Sequence, residues 1–569
     1  MLRLKDRGRY LAATFQVASL VLLGGCAGGR AAPQGSLPPE VASAFRQAQA
    51  SAIGSPRLLG PGELRLLHPP TPLRGANGLA CHEHRLFVAE ALFDRISEVR
   101  PDGSTLPLSV PSDLRGPDDL LFDAAGNMYV TAAAAGEVWR RAPSGEWQRI
   151  ASGLGGVNAI ALDQEHGRLF VSECFSGDGL FELAPDGSRP PRSITKGVGG
   201  PNAMSFLPEA GALVAPLFFS GAVARFDVES GRRTLLASGL RAPTAAKLAP
   251  DGRLLVLEGA TGAIRALPGP SGAASASNDD SGTVFAQLPP GLDNLAFCDS
   301  SLLVSSFLTG AVYSFKPWNG GTSRVLVPGG LAVPSGIALD GDEVLLTDGI
   351  GIKRLALGSA RVEVATVIDQ LPPPLGLALG GEGGAYVSAP FVGGVFRVDL
   401  HTRSVTKVAG DLEWPTSLLA LPGGVLVVVE TGAGRILRIE PGGATRVLAS
   451  GLTTPVGLAR RGISYLTAEP ASGHVLSIRE GVAPTLVASN LDQPTGIAVD
   501  ASGRVYVAEA AAGRIVRVES DGARVSLADG LKLARQYGIF PAPVPLAASP
   551  RGVIVASPGD GSVLSIEPP

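Results

Sequence analysis

The chain has 569 residues, 48 Lys and Arg against 51 Asp and Glu, 45% hydrophobic residues, 75 Gly and 46 Pro. That length exceeds one ordinary core, so two or more domains are expected, and so much Gly and Pro beside so much apolar residue fits short strands joined by tight turns. The slightly acidic balance, without basic clusters, excludes nucleic acid as a partner.

The first segment, MLRLKDRGRY, is basic, and LAATFQVASLVLL (11–23) is an apolar run too short to span a bilayer. It ends in Leu23-Gly24-Gly25-Cys26, which resembles the lipobox of bacterial lipoproteins. The resemblance implies a signal peptide over 1–25, cleavage before Cys26 and lipidation of its thiol. Several acyl chains would then tether the protein to a membrane of the cell envelope, on the periplasmic side or at the cell surface. Removing Arg3, Lys5, Arg7, Arg9 and Asp6 leaves 44 basic against 50 acidic residues, a net charge of −6. Residues 26–60, rich in Ala, Gly, Pro and Gln, read as a tether.

From residue 61 one phrase recurs. QPTGIAVDASGRVYVAEAAAGRIVRVESDG (493–522) parses into three short strands cut by turns. A fourth strand follows. Its anchor, an Ile or Leu (or near equivalent) soon after Pro or Gly, recurs at Leu79, Leu120, Ile160, Met204, Ala246, Leu295, Ile337, Leu377, Leu418, Leu458, Ile497 and Leu546, at spacings of 39 to 49 residues. Twelve units of that period predict four-stranded propeller blades. The pattern resembles the six-bladed propellers of the NHL-repeat, gluconolactonase (senescence marker protein) and virginiamycin B lyase groups, over roughly residues 61–569. These groups share blades and differ in chemistry.

The expected architecture is all-β: two consecutive six-bladed propellers, 61–320 and 321–569, each closed by an early strand. Glu63–Leu67 is assigned as the lone closing strand of the first ring. TSRVLVPGG (322–330) is assigned to the second, because the chain stops after a third strand in GSVLSIEPP.

In a propeller the residue entering each innermost strand faces the axis. Two positions before each anchor, the first ring carries Asn77, Asp118, Asn158, Asn202, Thr244 and Asp293; the second carries Ser335, Leu375, Thr416, Val456, Thr495 and Val544. Carboxylate and amide oxygens converging on an axis suit Ca²⁺, with Mg²⁺ or Mn²⁺ as alternatives, and not zinc. The competing reading is that Asn and Asp at a strand entrance satisfy turn backbone. The gluconolactonase group has its metal residues in phrases like P-N-D-L, N-G-I and P-D-G-L. GPDDLLFD resembles the first, with Asp118 in place of Asn; GANGLA keeps the second at Asn77; GVNAIALD is looser at Asn158, and GPNAMSF matches poorly at Asn202. The resemblance thus implies a metal held by Asp118, Asn158, Asn202 and Asp293, with Asn77. That family's Glu ligand in its first blade has no assigned counterpart.

An acid also closes the second strand of many units: Glu90, Glu173, Glu258, Asp348, Glu430, Glu469 and Glu509. Because it recurs in both rings, turn capping or pairing with the nearby Arg is expected, while Glu90 and Glu173 remain the candidate catalytic residues of the first ring, as general base or as support behind the metal ligands. CHEH (81–84) lacks a distant partner pair for zinc, and no G-x-S-x-G elbow, P-loop or H-E-x-x-H occurs. SGAASASNDDSG (271–282) reads as an insertion in the fifth blade, and KLARQYGIFPAPVP (532–545) as an excursion above the second ring. With Cys26 lipidated, Cys81, Cys174 and Cys298 remain; Cys81 and Cys298 fall in blades that a six-bladed ring makes neighbours, so they are the expected disulfide and Cys174 the free thiol.

Two kinds of function follow. One is a metal-dependent hydrolase of lactones, or a lyase of the virginiamycin type, acting on a small molecule in the first channel. The other is a non-enzymatic scaffold whose faces bind a protein or glycan. A monomer is expected in either case.

Overall fold

The computed structural model describes residues 55–568 except 175, 270–281, 360, 369–370, 372, 534–535 and 538–539. The signal peptide, Cys26 and most of the tether lie outside the described residues, as does nearly all of the 271–282 insertion. Among the described residues no helix is long and apolar enough to cross a membrane.

Twelve antiparallel sheets of four strands follow one another along the chain, one with a fifth strand added. Contacts divide them into two units. In the first unit, 72–329, six blades run from Ala76–His82 to Ser323–Val327, each built from four consecutive strands. The innermost strands are Ala76–His82, Pro117–Phe122, Val157–Asp163, Ser205–Leu207, Pro243–Leu248 and Leu292–Cys298. Apolar side chains on both faces of each sheet pack against the next. At the closing seam Leu79, Leu86, Val88 and Val99 of blade 1 meet Leu303, Val312 and Val327 of blade 6. Cys81 and Cys298 form a disulfide across that seam, with Cα atoms 5.3 Å apart, and Cys174 is buried and outside any disulfide.

The second unit holds blades 7 to 12 and closes differently from the expectation. Ser323–Val327 is the fourth strand of blade 6, beside Val312–Phe315, so it cannot serve the second ring. Glu63–His68 instead pairs with Val563–Glu567 and completes blade 12, with Leu67 packed against Leu331, Val344 and Ile554. The reason is edge satisfaction: blade 12 ends with three strands and an open edge, while blade 6 already has four. The first ring is therefore contiguous in sequence, and it is inserted between the closing strand of the second ring and the rest of that ring. Arg57–Leu58 adds a fifth strand to blade 11, where Arg57 Nε and Nη2 donate to the Asp529 carboxylate at 2.6 and 2.8 Å.

Candidate functional site

Each innermost strand of the first ring enters through a left-handed residue two positions before the axial one: Gly75, Gly116, Gly156, Gly200, Ala242 and Gly291 all have positive φ. Five of the six are glycine, the residue for which this conformation carries no steric penalty. The ladder then slips by a bulge, as between Ala76 and Leu79 or between Pro117 and Leu120. Such bulges re-aim the local side chain, here towards the axis. A hydroxyl on the second strand of the preceding blade holds the bulge. Thr131 Oγ1 accepts from Asp119 N (2.9 Å) and donates to Asn158 O (2.5 Å); Ser172 Oγ donates to Pro201 O (3.0 Å), and Ser305 Oγ to Asn77 O (2.6 Å). These clamps went unread in the sequence, although the Ser or Thr in VTA, VSE and VSS was their signal.

Asp118 is the centre of the cluster. Asn77 Nδ2 donates to its Oδ2 (3.0 Å) and Asn158 Nδ2 to its Oδ1 (2.9 Å). Enclosure in the channel, followed by the charges of Asp293 and Asp119, holds the Asp118 carboxyl well above the ordinary range; the Asn77 hydrogen bond offsets part of this. Asp293 is pushed up to about 7, first by burial and then by Asp119. Both side chains are hemmed in by protein yet keep some contact with the channel, being partly rather than fully buried.

Behind them lies a group that sequence reading missed. Asp119 is buried and accepts from Asn294 Nδ2 (3.0 Å), Leu120 N (2.9 Å) and Ile160 N (3.3 Å), and Lys247 Nζ lies 4.0 Å from its Oδ2. Lys247 also donates to Met204 O at 2.9 Å. The signals were the doubled polar pairs Asp118-Asp119 and Asp293-Asn294, and a lysine inside an otherwise apolar strand.

The six axial residues are not equivalent. Asn202 Oδ1 accepts from Ala203 N at 2.7 Å, and Thr244 Oγ1 donates to Leu292 O at 3.2 Å. Asn202 Oδ1 is thus engaged by its own turn, unlike the amide oxygens of Asn77 and Asn158. Asn77 Oδ1 and Asn158 Oδ1, by contrast, are buried without a hydrogen-bond partner. An orphaned buried carbonyl costs about 1–3 kcal/mol, and here two of them flank a crowded carboxylate pair. That donor set, two carboxylates and two amide oxygens, fits a hard cation once the amides rotate to exchange oxygen and nitrogen. No group of three or more His, Cys, Asp or Glu side chains is gathered for a metal among the described residues, so amide oxygens are essential to any such site.

The recurring acid is repeat chemistry. Glu90 is fully buried and saturated: Arg74 N (3.0 Å), Ser97 Oγ (2.6 Å), Arg95 Nε (2.6 Å) and Arg95 Nη2 all donate to it. With these four donors engaging both oxygens, Glu90 has no lone pair left to take a proton from water, which corrects its assignment as a general base. Glu258, Glu430 and Glu509 are held in the same way by the backbone N–H of Arg241, Glu413 and Asp492 and by Arg265, Arg435 and Arg514. In blade 7 the pair is Asp348 with Lys353, both fully buried. Glu173 differs. Gly179 stands opposite it where other blades place Arg, and it accepts from Gly155 N at 2.7 Å. His82 stacks on Phe122 (4.5 Å between centroids) and His84 Nδ1 pairs with Asp299 (2.6 Å), so CHEH is spent on packing and a surface pair.

No protein-family profile matches the chain, and no curated protein matches it. Its structural neighbours include gluconolactonase- and regucalcin-like propellers. A calcium-binding protein, regucalcin, from Agrobacterium tumefaciens is similar with a TM-score of 0.35 and 16% identity, over 42% of this chain and 94% of that one. A putative gluconolactonase is similar with a TM-score of 0.35 and 18% identity, over 48% of this chain and 95% of that one. A GH74 xyloglucanase from Xanthomonas campestris is similar with a TM-score of 0.45 and 13% identity, over 90% of this chain and 99% of that one.

Proposed function

We propose that the first ring binds a divalent cation, calcium by its all-oxygen donor set, and uses it to hydrolyse a lactone. The observation that carries this reading is the gathering of Asp118 and Asp293, both with raised carboxyls, beside Asn77 and Asn158, whose amide nitrogens donate to Asp118 and whose amide oxygens are buried without a hydrogen-bond partner. Those four residues would hold the ion, and the 6–8 oxygens that calcium takes leave room for water and a substrate oxygen. Once bound, such an ion polarises a carbonyl and lowers the pKa of a bound water. The chain's own groups do the rest. Asp119, fixed by Asn294 and facing Lys247, orients the Asp118 and Asp293 strands. Glu173, without an arginine partner among the described residues, is the remaining candidate for proton acceptor.

The scaffold reading is favoured by the second ring, whose channel has no carboxylate at any of its six axial positions. Calorimetric titration of the protein with Ca²⁺, Mn²⁺ and Mg²⁺, then a lactone panel with and without chelator, separates the two. Tight calcium binding that Asp118→Asn with Asp293→Asn weakens at least 100-fold, together with chelator-sensitive hydrolysis, supports the hydrolase. Equal binding by the wild type and the double variant would end the metal reading.

The proposal extends to export, with the protein anchored at the cell envelope through lipidated Cys26. The disulfide Cys81–Cys298 supports an oxidising compartment. Intact mass of the membrane fraction tests it: an acylated chain beginning at Cys26 is the expected species.

A further inference from the structure

Near the end of each third strand, one residue pairs across with the start of the second strand. In every other blade it is a buried Val, Leu, Ile or Phe, as at Val99, Leu183, Phe226, Ile439 and Val518. In blade 2 the same register, opposite Met128, carries Arg141. Its Nε is buried without a hydrogen-bond partner, and no acid pairs with its guanidinium among the described residues. Its nearest aromatic ring, Trp147, has its centre 6.0 Å from Cζ. A core aliphatic has thus been exchanged for a cation that nothing in the chain compensates, a local rule broken of the kind that marks sites.

Arg141 lines a cavity of about 390 Å³ between blades 1 and 2. The cavity lies where the innermost strands Ala76–His82 and Pro117–Phe122 end, and four residues separate Asp118 from Phe122. Roughly 13 Å of strand therefore stands between it and the polar centre. One side is the stacked pair of His82 and half-buried Phe122; half-buried Leu108 and exposed Pro143 add apolar surface. Arg85 also borders the cavity, but its Nε donates to Glu98 at 3.0 Å. Exposed Glu83 stands at the rim, in a two-residue turn where both Glu83 and His84 are left-handed, with φ of 49° and 64°. The cavity therefore combines one unpaired guanidinium, apolar walls and a carboxylate at its edge.

We propose that this cavity binds a small monocarboxylate with a compact apolar body. A guanidinium is a planar fork that matches a carboxylate, and Arg141 has its donors free to form that pair. The apolar body covers Leu108, Phe122 and Pro143. Glu83 disfavours a second negative charge, which selects against phosphate monoesters. The site is separate from the polar channel and does not depend on a metal there.

The test is calorimetric titration of the full chain with benzoate, phenylacetate and cyclohexanecarboxylate, beside neutral benzamide and phenyl phosphate. At least one carboxylate should bind, and benzamide should bind about ten-fold or more weakly than benzoate, since it lacks the charge. Arg141→Val installs the kind of side chain the other blades carry, so the fold and Tm should survive. It should weaken carboxylate binding about ten- to a hundred-fold. Leu108→Trp, which fills the cavity from a half-buried position, should block binding as well. Chelator, or Asp118→Asn with Asp293→Asn, should leave carboxylate binding as it was. No binding of any of the three carboxylates, equal affinity for benzamide, tighter binding of phenyl phosphate, or unchanged binding by Arg141→Val overturns the proposal. A lowered Tm in Arg141→Val overturns it too, because the arginine would then serve the fold.

Discussion

The two channels use one backbone device for opposite ends. In both rings several innermost strands begin with a ladder slip, as between Pro117 and Leu120 in the first and between Pro415 and Leu418 in the second. The first ring places Asp118, Asp293, Asn77 and Asn158 there and leaves their charge and two amide oxygens uncompensated. The second places Leu375, Val456 and Val544 beside hydroxyls, most of them bound to neighbouring blades: Ser335 Oγ donates to Pro374 O at 3.1 Å and Thr416 Oγ1 to Val456 O at 3.1 Å. One ring keeps a destabilised polar centre; the other has an axis of hydroxyls and aliphatics, and its six innermost strands surround a cavity lined by residues such as Leu339, Leu379, Leu419 and Ala548. Sites commonly sit where local rules are broken, and the second ring shows what the same scaffold looks like when they are kept.

The sharpest way to break the comparison is to disturb the buried acids that both rings share. Asp348→Asn in blade 7 strands Lys353, whose ammonium is already held below its ordinary pKa by burial. Removing one partner of such a pair costs about 3–5 kcal/mol. Glu90→Gln in blade 1 should cost a similar amount, since Arg95, the Ser97 hydroxyl and the Arg74 N–H lose their charged acceptor. Urea unfolding monitored for each ring would show the loss in the mutated ring; a change below about 1 kcal/mol in either would mean these acids are not structural.

Next in size is the seam. Only the first ring carries a disulfide among the described residues, so Cys81→Ser with Cys298→Ser should cost it about 2–4 kcal/mol and leave the second ring's transition in place. Peptide mapping without reduction checks the bond itself.

An effect of comparable size is on pH. The Asp293 carboxyl titrates near 7 when folded and near 3.8 when unfolded, so between these values the folded state binds the extra proton. Metal-free stability of the first ring therefore falls as pH rises from about 4 to about 7, at a slope approaching 1.4 kcal/mol per pH unit. Calcium should remove that slope by replacing the proton. The second ring, with no axial carboxylate, should show no such dependence. A flat profile for the first ring would remove the crowded pair from the account.

Much of this was legible because propeller blades are local. Each of the twelve anchors sits in a hairpin-connected sheet made almost entirely of consecutive residues, so period and turn chemistry suffice to find it. The axial position could be counted from the anchor, which placed Asn77, Asp118, Asn158 and Asp293 correctly relative to their strands. The donors that saturate the Glu90 carboxylate and the Ala203 N–H that donates to the Asn202 amide oxygen were not legible, because type and spacing do not reveal which donors arrive.

The sequence by itself determined the blades, their number and which ring has the polar axis, since these depend on patterns within about 40 residues. Only the tertiary structure decided which strand closes which ring. Glu63–His68 and Val563–Glu567 are hundreds of residues apart, and a strand's alternation does not name its partner; edge satisfaction does. The same holds at the axis, where Asp119, Asn294 and Lys247 meet from blades 2, 6 and 5. Closing the ring brings three innermost strands within hydrogen-bond and ion-pair reach, and no local pattern records that closure.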